Sequence, residues 1–358
     1  MGLSALSGIG IMTLMWFVVR VALLALTIML FNQAPGNAQQ THLLVIVGLG
    51  GDQTFTERFH DWAVALIEVA TDRYGVPPGN VTYLGEEVEI DPALIANRST
   101  KDNVEAAIDA IAKRAAPTDH VAIVVFGHGS FTDTARINLP GRDPSAEDFA
   151  EFLGRLSSQR VTFVNTASAS GPFIEALSAE DRVVMTATKT GRQWNAAIFG
   201  GHFVNAFSSS EKEADQNKDD RISMLEAFIY ARLKVAGEFK SDGTLQTEHA
   251  LLDDNGDGVG TDEPDPLTGD GQLARTLFLT SGENITASRM VFPDDPELRV
   301  LYQDRDELEE RVEALRGLRD GMDRERYERE LETVLVDLAL KGREIRRLEE
   351  AKGARNPQ

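Results

Sequence analysis

The chain has 358 residues, 42% of them hydrophobic and 26% charged, enough to bury a sizeable core and unlike the composition of a disordered segment. It contains no cysteine, which excludes disulfides, thiolate metal sites and thiol nucleophiles. A net charge of −21 at pH 7 repels phosphate backbones and anionic lipid, so cations rather than nucleic acid are the expected partners.

The segment from Ile9 to Phe31 is apolar apart from Arg20 and is followed by Asn-Gln-Ala-Pro-Gly-Asn-Ala38. Read from Met15, it has a short positive n-region, an apolar h-region from Val21 to Phe31 and a small-residue cleavage site at Gly36-Asn37-Ala38. The expectation is a signal peptide over residues 1–38 and a secreted or periplasmic chain that leaves the membrane after cleavage. The alternative is a retained anchor, since a spanning helix needs about 20 apolar residues; Arg20 favours the signal reading.

From Thr41, short β-branched runs alternate with helical patterns, the pattern of βαβ units. The runs are Leu43 to Leu49, Val81 to Leu84, Val121 to Phe126, Val161 to Val164 and Val183 to Thr188. Between them Phe59, Ala63, Leu66 and Ala70, then Val104, Ala107, Ile108 and Ile111, recur at helical spacing. Phe149, Phe152, Leu153 and Leu156 mark a third helix, entered through Ser145 as N-cap with Asp148 three residues on. The expected fold is α/β: a three-layer, mostly parallel sheet over residues 39–210 with helices on both faces.

Residues 211–290 are acidic loops expected to complete that domain, with Thr276 to Thr280 returning one more strand. Asp215, Asn217, Asp219, Ser223 and Glu226 place side-chain oxygens at positions 1, 3, 5, 9 and 12 of an EF-type loop. The Arg221 carbonyl falls at position 7, a ligand set suited to Ca²⁺. Asp220 stands where glycine usually turns the loop. A second cluster, Asp253, Asn255 and Asp257 with Gly258, has the glycine in place but Pro264 at position 12, so it is expected to be a weaker or shared site.

From Glu297 the pattern is charged and helical. Leu301, Leu308, Leu315 and Met322 are spaced by seven, as are Leu331, Leu338 and Ile345, and Gly317 and Gly321 interrupt the pattern. Residues 297–352 are expected to form two antiparallel helices, a hairpin that packs on itself or on the domain, or else an arm for self-association or partner docking.

Parallel sheets present ligands at the carboxyl ends of their strands. There the third run ends Gly-His128-Gly129-Ser130 and the fourth Asn165-Thr-Ala-Ser168-Ala-Ser170-Gly171. This pair resembles the peptidase class of caspases, metacaspases, legumain and gingipains, in which one strand ends His-Gly and the next Cys-x-Ser-Gly. Thr186 to Asn195 and Phe199 to Phe207 are similar to the specificity-pocket strand and following helix of bacterial legumain-like members. The resemblance covers about residues 41–210.

It implies that His128 is the general base or acid, that the N–H of Gly129 belongs to the oxyanion hole, and that Ser168 occupies the place of the nucleophilic cysteine. Lys189, Arg192 and Trp194 then either line the former specificity pocket or are ordinary loop residues. A serine hydroxyl is almost fully protonated at neutral pH and needs a strong, oriented base. The sequence shows no obvious orienting acid beside His128, whose strand neighbours are Phe126 and Gly127; Asn165 is a candidate for that role, which position alone does not assign. The expectation is an exported, non-proteolytic scaffold for a peptide or protein ligand, stabilised by calcium. Its rivals are a hydrolase using Ser168 and His128, and a fold of another kind in which His128 is a loop histidine.

Overall fold

The computed structural model describes residues 39–208, 213–216, 221–266, 269–280, 324–353 and single positions between 298 and 315. The expected signal peptide, with its anchor alternative, lies outside the described residues. No helix among the described residues is long and apolar enough to cross a membrane.

A seven-stranded sheet organises the domain. Its strands are β1 (Thr41–Val47), β2 (Val81–Gly85), β3 (Asn97–Arg98), β4 (His120–Phe126), β7 (Arg160–Asn165), β8 (Arg182–Thr186) and β9 (Leu251–Asp253), in the order β3-β2-β1-β4-β7-β8-β9. All pairings are parallel except β8 with β9, where Met185 lies opposite Leu252. In the centre, Leu43 pairs with Val81 on one side and Ala122 on the other. A separate hairpin joins β5 (Gly129–Phe131) to β6 (Ala135–Ile137).

Successive strand residues point to opposite faces, and both faces are covered. Leu43, Val45, Ala122, Val124 and Met185 pack under α1 (Gln53–Glu68), α5 (Phe199–Ala206) and α6 (Met224–Ser241). Leu44, Ile46, Val121, Ile123 and Phe163 pack under α2 (Lys101–Arg114), α3 (Ala146–Leu153) and α4 (Phe173–Leu177). This is the three-layer α/β architecture that the apolar runs imply. The helices start where the sequence offers caps: Asp52 accepts from the Phe55 N–H, and Ser145 with Asp148 forms a reciprocal capping box.

The expected strand from Thr276 to Thr280 does not form. Ala274–Thr276 is a 3₁₀ turn, and beyond it a single bridge joins Phe278 to Ser223. The Phe278 and Thr280 carbonyls are taken by His120 and by the Thr41 hydroxyl, so the segment crosses strand ends instead of pairing along one. The last place in the sheet goes to β9.

In the C-terminal region α7 (Arg324–Gly353) is one continuous helix. Ile345 packs with Leu298 and Leu301, and Val334 with Leu308, Leu315, Leu331 and Leu338, so early positions meet late ones in antiparallel order. Lys341 adds an ion pair with Asp304 at 3.0 Å. Met322 lies outside the described residues.

Candidate functional site

The carboxyl ends of β4 and β7 lie side by side, Val125 opposite Asn165, which brings His128 and Ser168 onto adjoining loops. Thr166 holds the β7 loop down, its N–H and hydroxyl both donating to the Val125 carbonyl at 3.1 and 2.8 Å. Asn165 turns its side-chain oxygen back onto the Ala167 N–H at 3.0 Å, while its Nδ2 is buried without a partner.

Ser168 is buried at 3% exposure. Its hydroxyl donates to the Gly129 carbonyl at 3.2 Å and accepts from the Gly129 N–H at 3.3 Å. The N–H assigned to an oxyanion hole by resemblance is thus engaged by the serine itself. Gly129 must be glycine, because a Cβ there would strike the Ser168 carbonyl.

His128 is half-buried between the rings of Phe55 and Phe59, which meet it edge-on at centroid distances of 4.6 and 5.2 Å. Burial lowers its pKa; a hydrogen bond to the backbone of Gly50 and the charge of Asp52 oppose that shift. No hydrogen bond joins the imidazole to Ser168, and none joins it to Asn165. The group that orients the ring is backbone from the β1–α1 loop, about 80 residues away in sequence, and no local motif signals it.

Ala169, next to Ser168, adopts φ 56°, a left-handed conformation that costs a non-glycine residue about 1–2 kcal/mol. Its N–H donates to the Gln193 carbonyl at 2.9 Å, which fixes the loop against residues 189–196. Ala169→Val should therefore lose about 2 kcal/mol or more, since β-branching is least tolerated at positive φ. Ala169→Gly should stay within about 1 kcal/mol of the parent, strain relief offsetting the lost buried methyl. Urea unfolding of the three proteins checks the order.

Lys189, Arg192 and Trp194 stand exposed on the rim of this loop, and the Trp194 indole N–H donates to the Gly191 carbonyl at 2.7 Å. Residues 247–249 strap the same loop from behind. His249 meets Gln193 at 2.6 Å, Thr247 accepts from Asn195 at 2.9 Å, and Glu248 accepts the N–H groups of Ile198 and Phe199 at 2.9 and 2.8 Å. Burial pushes the Glu248 carboxyl up to about 7 despite those two bonds. None of these strap residues is marked by a motif.

Of the EF-type loop, Asn217 and Asp219 lie outside the described residues. Asp215 is described, and the Arg221 guanidinium lies 3.7 Å from the centre of the Phe278 ring. Glu226 is buried and closes a capping box with Ser223, whose N–H and hydroxyl it accepts at 2.9 and 2.8 Å; it also takes the Gln216 N–H at 3.0 Å.

In the second loop Asn255 and Asp257 accept the N–H groups of Asp257 and Val259, both at 2.8 Å, and the chain turns at Gly258 with φ 76°. Asp253 and Asp254 are buried, and so is Asp270, a neighbour that spacing alone does not reveal. Burial, with the charges of Asp253 and Asp254, pushes Asp270 up to about 6. Among the described residues no three His, Asp or Glu side chains are grouped as a ready metal cluster.

No known sequence family matches the chain, and no curated protein does. Among solved structures it is similar to caspase-1 from Spodoptera frugiperda, at 11% identity over 62% of this chain and 91% of that one, with a TM-score of 0.39. It is similar to drICE at 11% identity over 61% and 89%, with a TM-score of 0.36. A protein of Geobacter sulfurreducens gives 11% identity over 67% and 98%, with a TM-score of 0.42. At that identity and those scores the likeness concerns the course of the chain and carries no argument about activity.

Proposed function

We propose that the chain is a caspase/legumain-like scaffold without peptidase activity, exported from the cell, whose strand-end loops bind a peptide or protein. One observation carries this reading: the only hydroxyl at the nucleophile position is buried and spent on the backbone of Gly129, with no hydrogen bond to His128. Serine attack needs a base in contact with the hydroxyl and a free donor for the oxyanion. Here the hydroxyl lacks the first and occupies the second. No cysteine stands elsewhere in the chain to replace it.

The purified protein should not turn over peptides with Asn, Asp, Arg or Lys at the cleavage position, and Ser168→Ala should leave it unchanged. Ser168→Cys is the informative converse. A thiol at this position should react with iodoacetamide more slowly than a free thiol at pH 7.5, because the side chain is buried against the Gly129 backbone and shielded from the reagent. Peptide hydrolysis by the parent protein that disappears in Ser168→Ala would overturn the reading and install the serine hydrolase in its place.

A further inference from the structure

The acidic loop after β9 holds a carboxylate oxygen with nothing to bind. Asp253 is 1% exposed; its Oδ1 accepts the Gly256 N–H at 3.2 Å, which holds the group over the turn, and its Oδ2 is buried without any hydrogen-bond partner. A bare buried carboxylate oxygen is strongly unfavourable unless a cation or donor meets it. No Lys, Arg or His forms an ion pair with Asp253, Asp254, Asp257 or Asp270 among the described residues.

The surroundings collect further oxygens. Asp254 accepts the N–H groups of Gly271, Leu273 and Ala274, and so ties the 271–274 segment to the loop. Asp270 is thereby brought in; one of its oxygens takes the Asp254 N–H at 3.1 Å, and the charges of Asp253 and Asp254 act on it. Asn255 and Asp257 stand at the third and fifth positions from Asp253, with Gly258 making the left-handed turn at the sixth. Every candidate donor is oxygen, and hard divalent cations prefer oxygen.

We propose that this loop is a Ca²⁺ site, anchored by Asp253 Oδ2 and Asp270 and completed by Asn255, backbone carbonyls and water. Side chains alone do not supply a closed shell here. Ca²⁺ takes six to eight oxygens in flexible geometry, whereas Mg²⁺ demands a tight octahedron, so the site selects Ca²⁺ and binds it with the modest affinity of extracellular loops, roughly 10⁻⁴ to 10⁻³ M. The proposal stands apart from the reading of Ser168.

The test uses the full chain, stripped with chelator and titrated with CaCl₂ alone by calorimetry while the thermal midpoint is followed. A binding event in that range, with a rise in midpoint that MgCl₂ at equal concentration does not reproduce, is the expected result. Asp253→Asn and Asp270→Asn should each weaken binding at least tenfold, and Glu226→Gln on the other acidic loop should leave this event intact. Asp253→Asn should also raise the midpoint of the metal-free protein, because it removes an uncompensated buried charge; a general folding defect would lower it. The proposal is overturned if no heat is seen up to 10-fold above the upper limit of that range, if Mg²⁺ acts equally, or if Ca²⁺ binding is lost in Glu226→Gln and kept in Asp253→Asn.

Discussion

Asp254→Ala should destabilise the domain by about 3–5 kcal/mol in the presence of chelator. Its carboxylate is 7% exposed and accepts three backbone N–H groups, from Gly271 at 2.7 Å and from Leu273 and Ala274 at 2.8 Å. Alanine would leave all three donors without their acceptor, and each orphaned buried group costs about 1–3 kcal/mol. In a domain of this size that corresponds to a fall in thermal midpoint of roughly 6–20 °C. Asp254→Asn, which keeps one carbonyl oxygen, should fall between parent and alanine. A midpoint within 1 °C of the parent would mean that Asp254 does not hold the 271–274 segment.

The second large effect depends on pH. In the folded protein the Glu248 carboxyl is raised to about 7 from 4.5, chiefly by burial, with the Glu238 charge adding to the shift. Between those two values the folded state keeps a proton that the unfolded state has released. This contribution to stability is fully present below about 4.5 and is lost as the pH rises through about 7. Over that window the loss amounts to about 3 kcal/mol. Glu248→Gln cannot ionise, so its stability relative to the parent should improve by that amount between pH 4.5 and pH 8. Denaturant unfolding at several pH values measures the difference, and other titrating groups cancel because both proteins carry them. A difference that stays flat would show that Glu248 ionises at its ordinary pH.

The five long strands were legible because each is buried on both faces and reads as a continuous β-branched run. The short elements were not. β3 has two residues and β9 three, too few to show any periodicity, and the Gly129–Phe131 strand follows directly on the His-Gly motif. Thr276 to Thr280 has the composition of a strand, yet its carbonyls are claimed by His120 and Thr41. At the site, the positions of His128 and Ser168 followed from the rule that loops at the carboxyl ends carry ligands. The absence of a hydrogen bond between them did not, since the Gly129 backbone, 39 residues from Ser168, decides where the hydroxyl points. Asp270 escaped for a related reason: it meets the loop by accepting the N–H of Asp254, 16 residues earlier in sequence.

The brevity of the two outer strands governs how the molecule can meet other chains. An exposed sheet edge is a template on which another strand can add. Here one border of the sheet is only Asn97–Arg98. At the other, Leu252 exchanges both backbone hydrogen bonds with Thr261 of the following loop, at 2.9 and 2.8 Å, so the chain occupies its own edge. Among the described residues neither border strand is long enough to offer an extended ladder to a neighbour, which protects the fold against edge-to-edge aggregation. A partner of the kind proposed above would then be met by side chains and loop tips, where single substitutions can retune specificity without disturbing the sheet.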